Sequence, residues 1–259
     1  MPLPQREVHT PPVATHNAPE TPSGVLAREV LICAICVSVA VIGLGLMVGA
    51  GALPDPRAED SPGAALGFLY SPLSLLIGAG LYAGFARLLE GERAPPLVEP
   101  GERPSTMRAW GTTLSHVALA ILGSYVIGLL MSLAGFPVVE QASILEITSG
   151  GLSLRPALVL LGLTALLAAP LAEELLLRGL FFRRLWQQAT PEIAYLASAI
   201  AFAAIHGNPQ GILVYLWLGL VFARAYARTG RLWCAVATHF GNNAVTLAIL
   251  VLAGGQNAP

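Results

Sequence analysis

The sequence predicts an all-α integral membrane protein: a polytopic bundle of about seven transmembrane helices, with eight as the alternative count, and a polar catalytic cavity within the membrane. Two observations predict this class. Of the 259 residues, 55% are hydrophobic and only 11% are charged, whereas a soluble domain carries about 25% charged residues. The apolar residues also gather into long segments, and about 20 of them suffice to cross a bilayer.

Seven apolar segments follow one another along the chain, and most are long enough to span a membrane. The fifth is short, and the polar stretch GNPQG separates it from the sixth. The segments are Val30–Leu53, Ala64–Leu88, Thr113–Ala134, Ala157–Phe182, Ile193–His206, Gly211–Arg228 and Leu232–Ala253.

Arginine is concentrated in alternate connections between these segments, and positive residues favour the cytoplasmic side. Seven spans with a cytoplasmic N-terminus fit the alternation, and we expect a prokaryotic plasma membrane as the location. The arginine-rich connections follow the second, fourth and sixth segments and contain Arg87, Arg93, Arg103, Arg108, Arg183, Arg184, Arg224, Arg228 and Arg231.

The domain organisation is simple. Residues 1–27 are rich in proline and threonine at their start and are expected to form a disordered cytoplasmic tail. Residues 28–259 are expected to form a single membrane domain. The lipid bilayer is the expected surrounding partner, nucleic acid is not expected, and the oligomeric state is left open.

Charged and polar residues interrupt the apolar segments of the C-terminal half. The fourth segment contains the stretch EELLLR, with Glu173, Glu174 and Arg178. Ionisable residues inside a membrane segment are costly and are commonly functional. Glu174 and Arg178 are four residues apart, so they share a helix face and predict an ion pair. Glu173 points about 100° away and has no evident partner in its own helix.

Three helices bring polar groups to a similar depth. At 1.5 Å per residue, Glu173 lies about 15 Å from Arg183 along its helix. His206 lies about 21 Å from the start of the next helix, and His239 and Asn243 lie about 12 and 18 Å into the last. A carboxylate and a neutral imidazole can hold a water molecule between them. A second imidazole and an amide could stabilise a developing oxyanion, so this set suits hydrolysis of an amide bond. His116 and Ser115, in the third segment, are assigned to hydrogen bonding between helices.

These residues resemble the three motifs of the CAAX-processing and bacteriocin-processing family of intramembrane glutamate endopeptidases, which is related to the type 2 CAAX prenyl proteases. Glu173, Glu174 and Arg178 match EExxxR. Phe202 and His206 match FxxxH, and the HxxxN motif is matched by His239 and Asn243. The motifs occur in the family's order, and the resemblance covers about residues 157–252, which we take as the catalytic core.

The resemblance implies a peptidase that needs neither metal nor other cofactor. In that family pattern, Glu173 and His206 would activate water, and His239 and Asn243 would form the oxyanion hole. Glu174 and Arg178 would support the site, and Phe202 would pack at the cavity wall. The implied substrate is a membrane-bound or lipidated, CAAX-like peptide or protein.

Two other functions stay open on the sequence. The same Glu and His residues could bind zinc in a membrane metalloprotease, although the short His-x-x-x-His spacing on one helix is missing. A non-enzymatic carrier or immunity-type scaffold could also use intramembrane Glu and His, as proton relays do.

Overall fold

The computed structural model describes residues 20–56, 62–90, 99–101, 103–138 and 155–256. Within these ranges the ordered elements are helices joined by turns, which confirms the all-α prediction. Six helices are long and apolar enough to cross a membrane, and a seventh, shorter apolar helix accompanies them. The chain is therefore a polytopic helical membrane protein.

The first three helices are long and continuous. They are α1 (Pro22–Gly49), α2 (Pro62–Glu90) and α3 (Thr106–Leu133). Many of their large apolar side chains are exposed, among them Leu31 at 60% and Leu46 at 69%. Exposed apolar surface on this scale fits contact with lipid.

The beginning of α1 corrects the predicted tail. The Thr21 side chain accepts a hydrogen bond from the backbone N–H of Gly24, and Pro22 occupies the first helical turn. Both features favour the start of a helix. Residues 22–27 are therefore helical rather than disordered, and residues 1–19 lie outside the described residues.

The fourth helix, α4, spans residues 155–188 and changes its winding along its length. Arg155–Leu163, Ala169–Glu174 and Arg183–Gln188 are α-helical, while Thr164–Ala168 and Leu175–Phe182 have π-helical hydrogen bonding. Such π segments are rare and often occur at functional sites. The two wide segments enclose the α-helical turn that ends in Glu173 and Glu174.

The last three helices are α5 (Pro191–Ile205), α6 (Ile212–Thr229) and α7 (Leu232–Gln256). A 3₁₀ turn, Pro209–Gly211, connects α5 to α6. Gly230 adopts φ +56° at the end of α6, a left-handed conformation that favours glycine and ends the helix.

The core lies where α4, α5 and α6 meet. Large aromatic side chains fill it, including Phe181, Phe182, Phe202, Phe222 and Tyr226, each at most 2% exposed. At Gly219 an added Cβ would lie 2.8 Å from Cα of Ala199, so a small residue permits the close crossing of α5 and α6. α3 and α7 pack on the other sides of α6.

The predicted boundary after the fourth segment is wrong. Arg183 and Arg184 were assigned to a connection, but α4 continues to Gln188 and Arg184 is buried. Its guanidinium binds both carboxylate oxygens of Glu29 on α1, at 2.8 and 3.1 Å. The Tyr82 hydroxyl on α2 donates to the same carboxylate. A satisfied ion pair lets the arginine stay inside the helix bundle.

Candidate active site

The predicted ion pair between Glu174 and Arg178 is present and fully buried. Nη1 of Arg178 lies 3.0 Å from Oε1 of Glu174, and both side chains have no exposed surface. Nη2 of Arg178 donates to the backbone oxygen of Gly219 at 2.8 Å. One arginine thus connects α4 to α6 at the point where α5 and α6 cross closely.

Two phenylalanine rings complete the surroundings of this arginine. The guanidinium carbon of Arg178 lies 5.0 Å from the ring centre of Phe202 and 5.7 Å from that of Phe222. Guanidinium groups are attracted to aromatic faces at such distances. The rings also exclude water, so the charges of Arg178 and Glu174 interact in an apolar setting.

His239 joins the same buried group from α7. Its Nδ1 atom lies 3.1 Å from Oε1 of Glu174, and the side chain is 3% exposed. The imidazole stacks on Phe222, with ring centres 4.6 Å apart and planes inclined by 20°. Because an ionised carboxylate only accepts hydrogen bonds, Nδ1 is the protonated nitrogen in this contact.

His206 follows the last residue of α5 and has a different partner. Its Nδ1 atom lies 2.7 Å from the backbone oxygen of Phe202. A carbonyl can only accept, so Nδ1 carries the hydrogen and Nε2 of the neutral ring is an acceptor. The ring stacks on Tyr215 at 4.1 Å and lies 4.6 Å from the Phe202 ring.

Glu173 is buried, at 8% exposure, and one of its carboxylate oxygens is not satisfied. Oε2 has no hydrogen-bond partner among the described residues. The carboxylate lies within electrostatic range of both Arg178 and His206. Since buried polar atoms normally have partners, this oxygen is a candidate to bind a further polar molecule.

Asn243 is bonded to the first π-helical segment of α4. Its Nδ2 atom donates to the backbone oxygen of Ala165 at 2.9 Å. The N–H of Ala169 is bonded to Thr164, and Pro170 has no N–H, so neither supplies Ala165 with a donor. Asn243 therefore satisfies a carbonyl that the widened helix leaves open, and it retains a second amide hydrogen.

The structure thus gathers the predicted residues of α4 and α5 with His239, and it places Asn243 one turn further along α7. The sequence did not identify Tyr215, Gly219 or Phe222 as parts of the site. Their spacing of four and three residues on α6 places them on one helix face, and this periodicity was the available signal. For Ala165, the signal was Pro170 inside an apolar helix.

An open pocket of about 750 Å³ lies at the end of α3, beside the 3₁₀ turn that follows His206. Apolar side chains such as Leu130, Phe136 and Leu213 form most of its wall. The pocket is therefore distinct in character from the buried polar cluster.

Among the described residues, no group of three or more His, Cys, Asp and Glu side chains is placed to hold a metal ion. A catalytic zinc site normally has three protein ligands.

Fold and site together define the class: a helical membrane protein with a buried cluster of carboxylate, imidazole, guanidinium and amide groups. Comparison with known proteins indicates a family within this class. Residues 155–245 match the family described as type II CAAX prenyl endopeptidase, Rce1-like. This match includes all three motifs and confirms the resemblance seen in the sequence.

A curated relative agrees with this match. The chain is 30% identical over 98 residues to the "Putative membrane peptidase YdiL" of Bacillus subtilis (strain 168). The aligned region covers 38% of this chain and 40% of that protein. No solved structure matches the chain at a significant level.

Proposed function

We propose that the chain is an intramembrane endopeptidase that hydrolyses a peptide bond with a water molecule activated by a glutamate. The main support is the buried Glu173 carboxylate: its Oε2 has no hydrogen-bond partner among the described residues, and the carboxylate interacts electrostatically with His206. The match of residues 155–245 to a CAAX prenyl endopeptidase family supports an endopeptidase activity.

In this proposal Glu173 and His206 hold the attacking water. Nε2 of His206 accepts one hydrogen bond from the water, because Nδ1 is already engaged with the backbone of Phe202. Glu173 takes a proton as the water oxygen attacks the carbonyl carbon of the substrate. The same proton then passes to the leaving amine when the carbon–nitrogen bond breaks.

His239 and Asn243 would stabilise the oxyanion of the tetrahedral intermediate. For Nε2 of His239 to donate while Nδ1 faces Glu174, the ring must be doubly protonated. In that state Nδ1 would donate to the Glu174 carboxylate, 3.1 Å away, and Nε2 would be the donor to the oxyanion. Asn243 would use the amide hydrogen not engaged by Ala165.

Glu174 and Arg178 would act as supports, as the buried ion pair suggests. The proposed mechanism needs no metal and no other cofactor. Phe202 contacts the guanidinium and both histidines, so it would keep them in place and exclude water.

The proposed substrate is a membrane-bound or lipidated, CAAX-like peptide or protein. This part of the proposal follows from the family match and from the position of the site within apolar helices. We further propose a prokaryotic plasma-membrane location with a cytoplasmic N-terminus, because the helix ends and connections that are rich in arginine would then face the cytoplasm.

A comparison of membrane peptides from cells producing wild-type protein or Glu173→Gln tests the proposal. Products formed only with wild type would identify a substrate, and the purified variant should then cleave it about 10²–10⁴-fold more slowly. Glu192→Gln is the matched control, because Glu192 is exposed at the start of α5. Equal cleavage by Glu173→Gln and wild type would reject Glu173 as the base.

A further inference from the structure

In the C-terminal half of α6, two arginines are the exposed residues. From Leu218 to Gly230, only Arg224 and Arg228 are exposed. They are four residues apart, so their side chains lie one above the other on the same helix face. The exposed strip of this helix half is thus entirely cationic.

Helices α3 and α5 pack against α6, and each carries a polar group that interacts electrostatically with the two arginines. His116 of α3 and Tyr195 of α5 both lie within electrostatic range of Arg224 and Arg228. Nδ1 of His116 bonds to Thr112 in its own helix, not to a neighbouring helix as the sequence suggested. Its Nε2 atom is buried and has no hydrogen-bond partner among the described residues.

Neither arginine has an ion pair or hydrogen bond within the described parts of the chain, in contrast to Arg178. Like charges four residues apart on a helix repel each other. An anion bound between the two guanidinium groups would remove this repulsion, and guanidinium forks suit phosphate oxygens in particular.

The arginines lie at the level expected for a membrane interface. Trp110, near the start of α3, packs on Trp233 at the start of α7, with ring centres 4.7 Å apart. Trp pairs of this kind are typical of the interface between lipid and water. Arg228 precedes the end of α6 by one residue, and Arg224 lies about 6 Å deeper. Long arginine side chains near the end of a spanning helix favour the interface over the acyl chains.

We propose that Arg224 and Arg228, on the exposed face of α6, form a binding site for the phosphate headgroup of an anionic phospholipid. The site is separate from the Glu173 cluster and does not depend on the proposed peptidase function. Basic pockets between membrane helices commonly recognise such headgroups.

The test uses the purified full chain in zwitterionic detergent and measures its thermal unfolding as lipid is added. Phosphatidylglycerol should raise Tm in a saturable way, and phosphatidylcholine should not. In the double variant Arg224→Gln/Arg228→Gln, the phosphatidylglycerol concentration for half-maximal stabilisation should rise about 10- to 30-fold. The control, Arg87→Gln/Arg108→Gln, makes the same charge change at exposed arginines elsewhere and should behave like wild type.

Equal weakening in both double variants would overturn the proposal, because the effect would then be one of total charge. Stabilisation by inorganic phosphate at the same concentrations would overturn a lipid as the ligand. Should the glutamine variant fail to fold, Arg224→Lys/Arg228→Lys keeps the charge but loses the planar fork. It should bind phosphatidylglycerol more weakly than wild type, and unchanged binding would count against the site.

Discussion

Nδ1 of His239 lies 3.1 Å from Oε1 of Glu174, a residue 65 positions earlier in the chain. The same oxygen accepts from Arg178 at 3.0 Å. One carboxylate oxygen therefore connects α7 to the arginine of α4, and the orientation of the imidazole depends on it. This contact gives Glu174 a defined role in the proposed mechanism as a positioning residue for His239.

Replacement of Glu174 by Gln should lower kcat with little change in KM. The amide keeps the shape of the side chain but removes the negative charge that Nδ1 of His239 faces. The loss should approach that of His239→Ala, about 10²–10³-fold for an oxyanion donor. In a double-mutant cycle the two losses should be far from additive, because both remove the same interaction. Full additivity would contradict the positioning role.

Replacement of Arg178 by Met should destabilise the protein strongly. It leaves the Glu174 carboxylate buried without its main cationic partner, and breaking a buried pair costs about 3–5 kcal/mol. Thermal unfolding in detergent should show a drop in Tm of roughly 10 °C. Arg87→Met, at an exposed position on α2, is the control and should leave Tm nearly unchanged.

Residues four apart on one helix share a face, and this rule explains which part of the site the sequence could predict. The four-residue separation of Glu174 and Arg178 predicted their ion pair, and the structure contains it. The contact of Glu174 with His239 joins two helices, and a periodicity argument carries no information about such pairs. Depth estimates brought the two helices to a similar level without identifying which side chains touch.

The prediction that the fourth helix ends before Arg184 is wrong because it takes arginine as a marker of helix ends. The positive-inside rule describes exposed connections, but a guanidinium paired with Glu29 can remain buried inside the bundle. Similarly, side-chain directions predicted from a uniform 100° per residue do not include the wider winding of the π-helical segments. Pro170, which has no backbone N–H, is the sequence feature that indicates the first π-helical segment.

The Glu29–Arg184 pair should stabilise the attachment of α1 rather than the chemistry. Glu29→Leu alone should lower the free energy of unfolding by about 3–5 kcal/mol, because the buried guanidinium of Arg184 loses the carboxylate that accepts from it at 2.8 and 3.1 Å. Combining it with Arg184→Met should restore most of that loss, since apolar replacement of both partners is often neutral. Thermal unfolding of the two variants measures this difference; a double variant less stable than the single one would contradict it.

Chelation tests the metal-free part of the mechanism. Activity of the purified protein should be unchanged after prolonged treatment with a zinc chelator, because the proposed base is a glutamate rather than a metal-bound hydroxide. Metal analysis of the same active sample should give far less than one zinc per chain. Loss of activity on chelation together with its recovery on addition of zinc would reject the proposal in favour of a metalloprotease.

The neighbouring asparagines of α7 provide the sharpest internal comparison. Asn243 donates to Ala165 of α4, while Asn242 donates to Asn243 at 3.2 Å and to no other described residue. Asn243→Ala should remove an oxyanion donor and also leave the Ala165 carbonyl unsatisfied, so it should lower both kcat, by about 10²–10³-fold, and Tm. Asn242→Ala should keep kcat within a few-fold of wild type, because the donor to the oxyanion stays in place. Cleavage assays and thermal unfolding of the two variants distinguish these roles, and an equal loss of kcat in both would show that Asn243 has no special part in the chemistry.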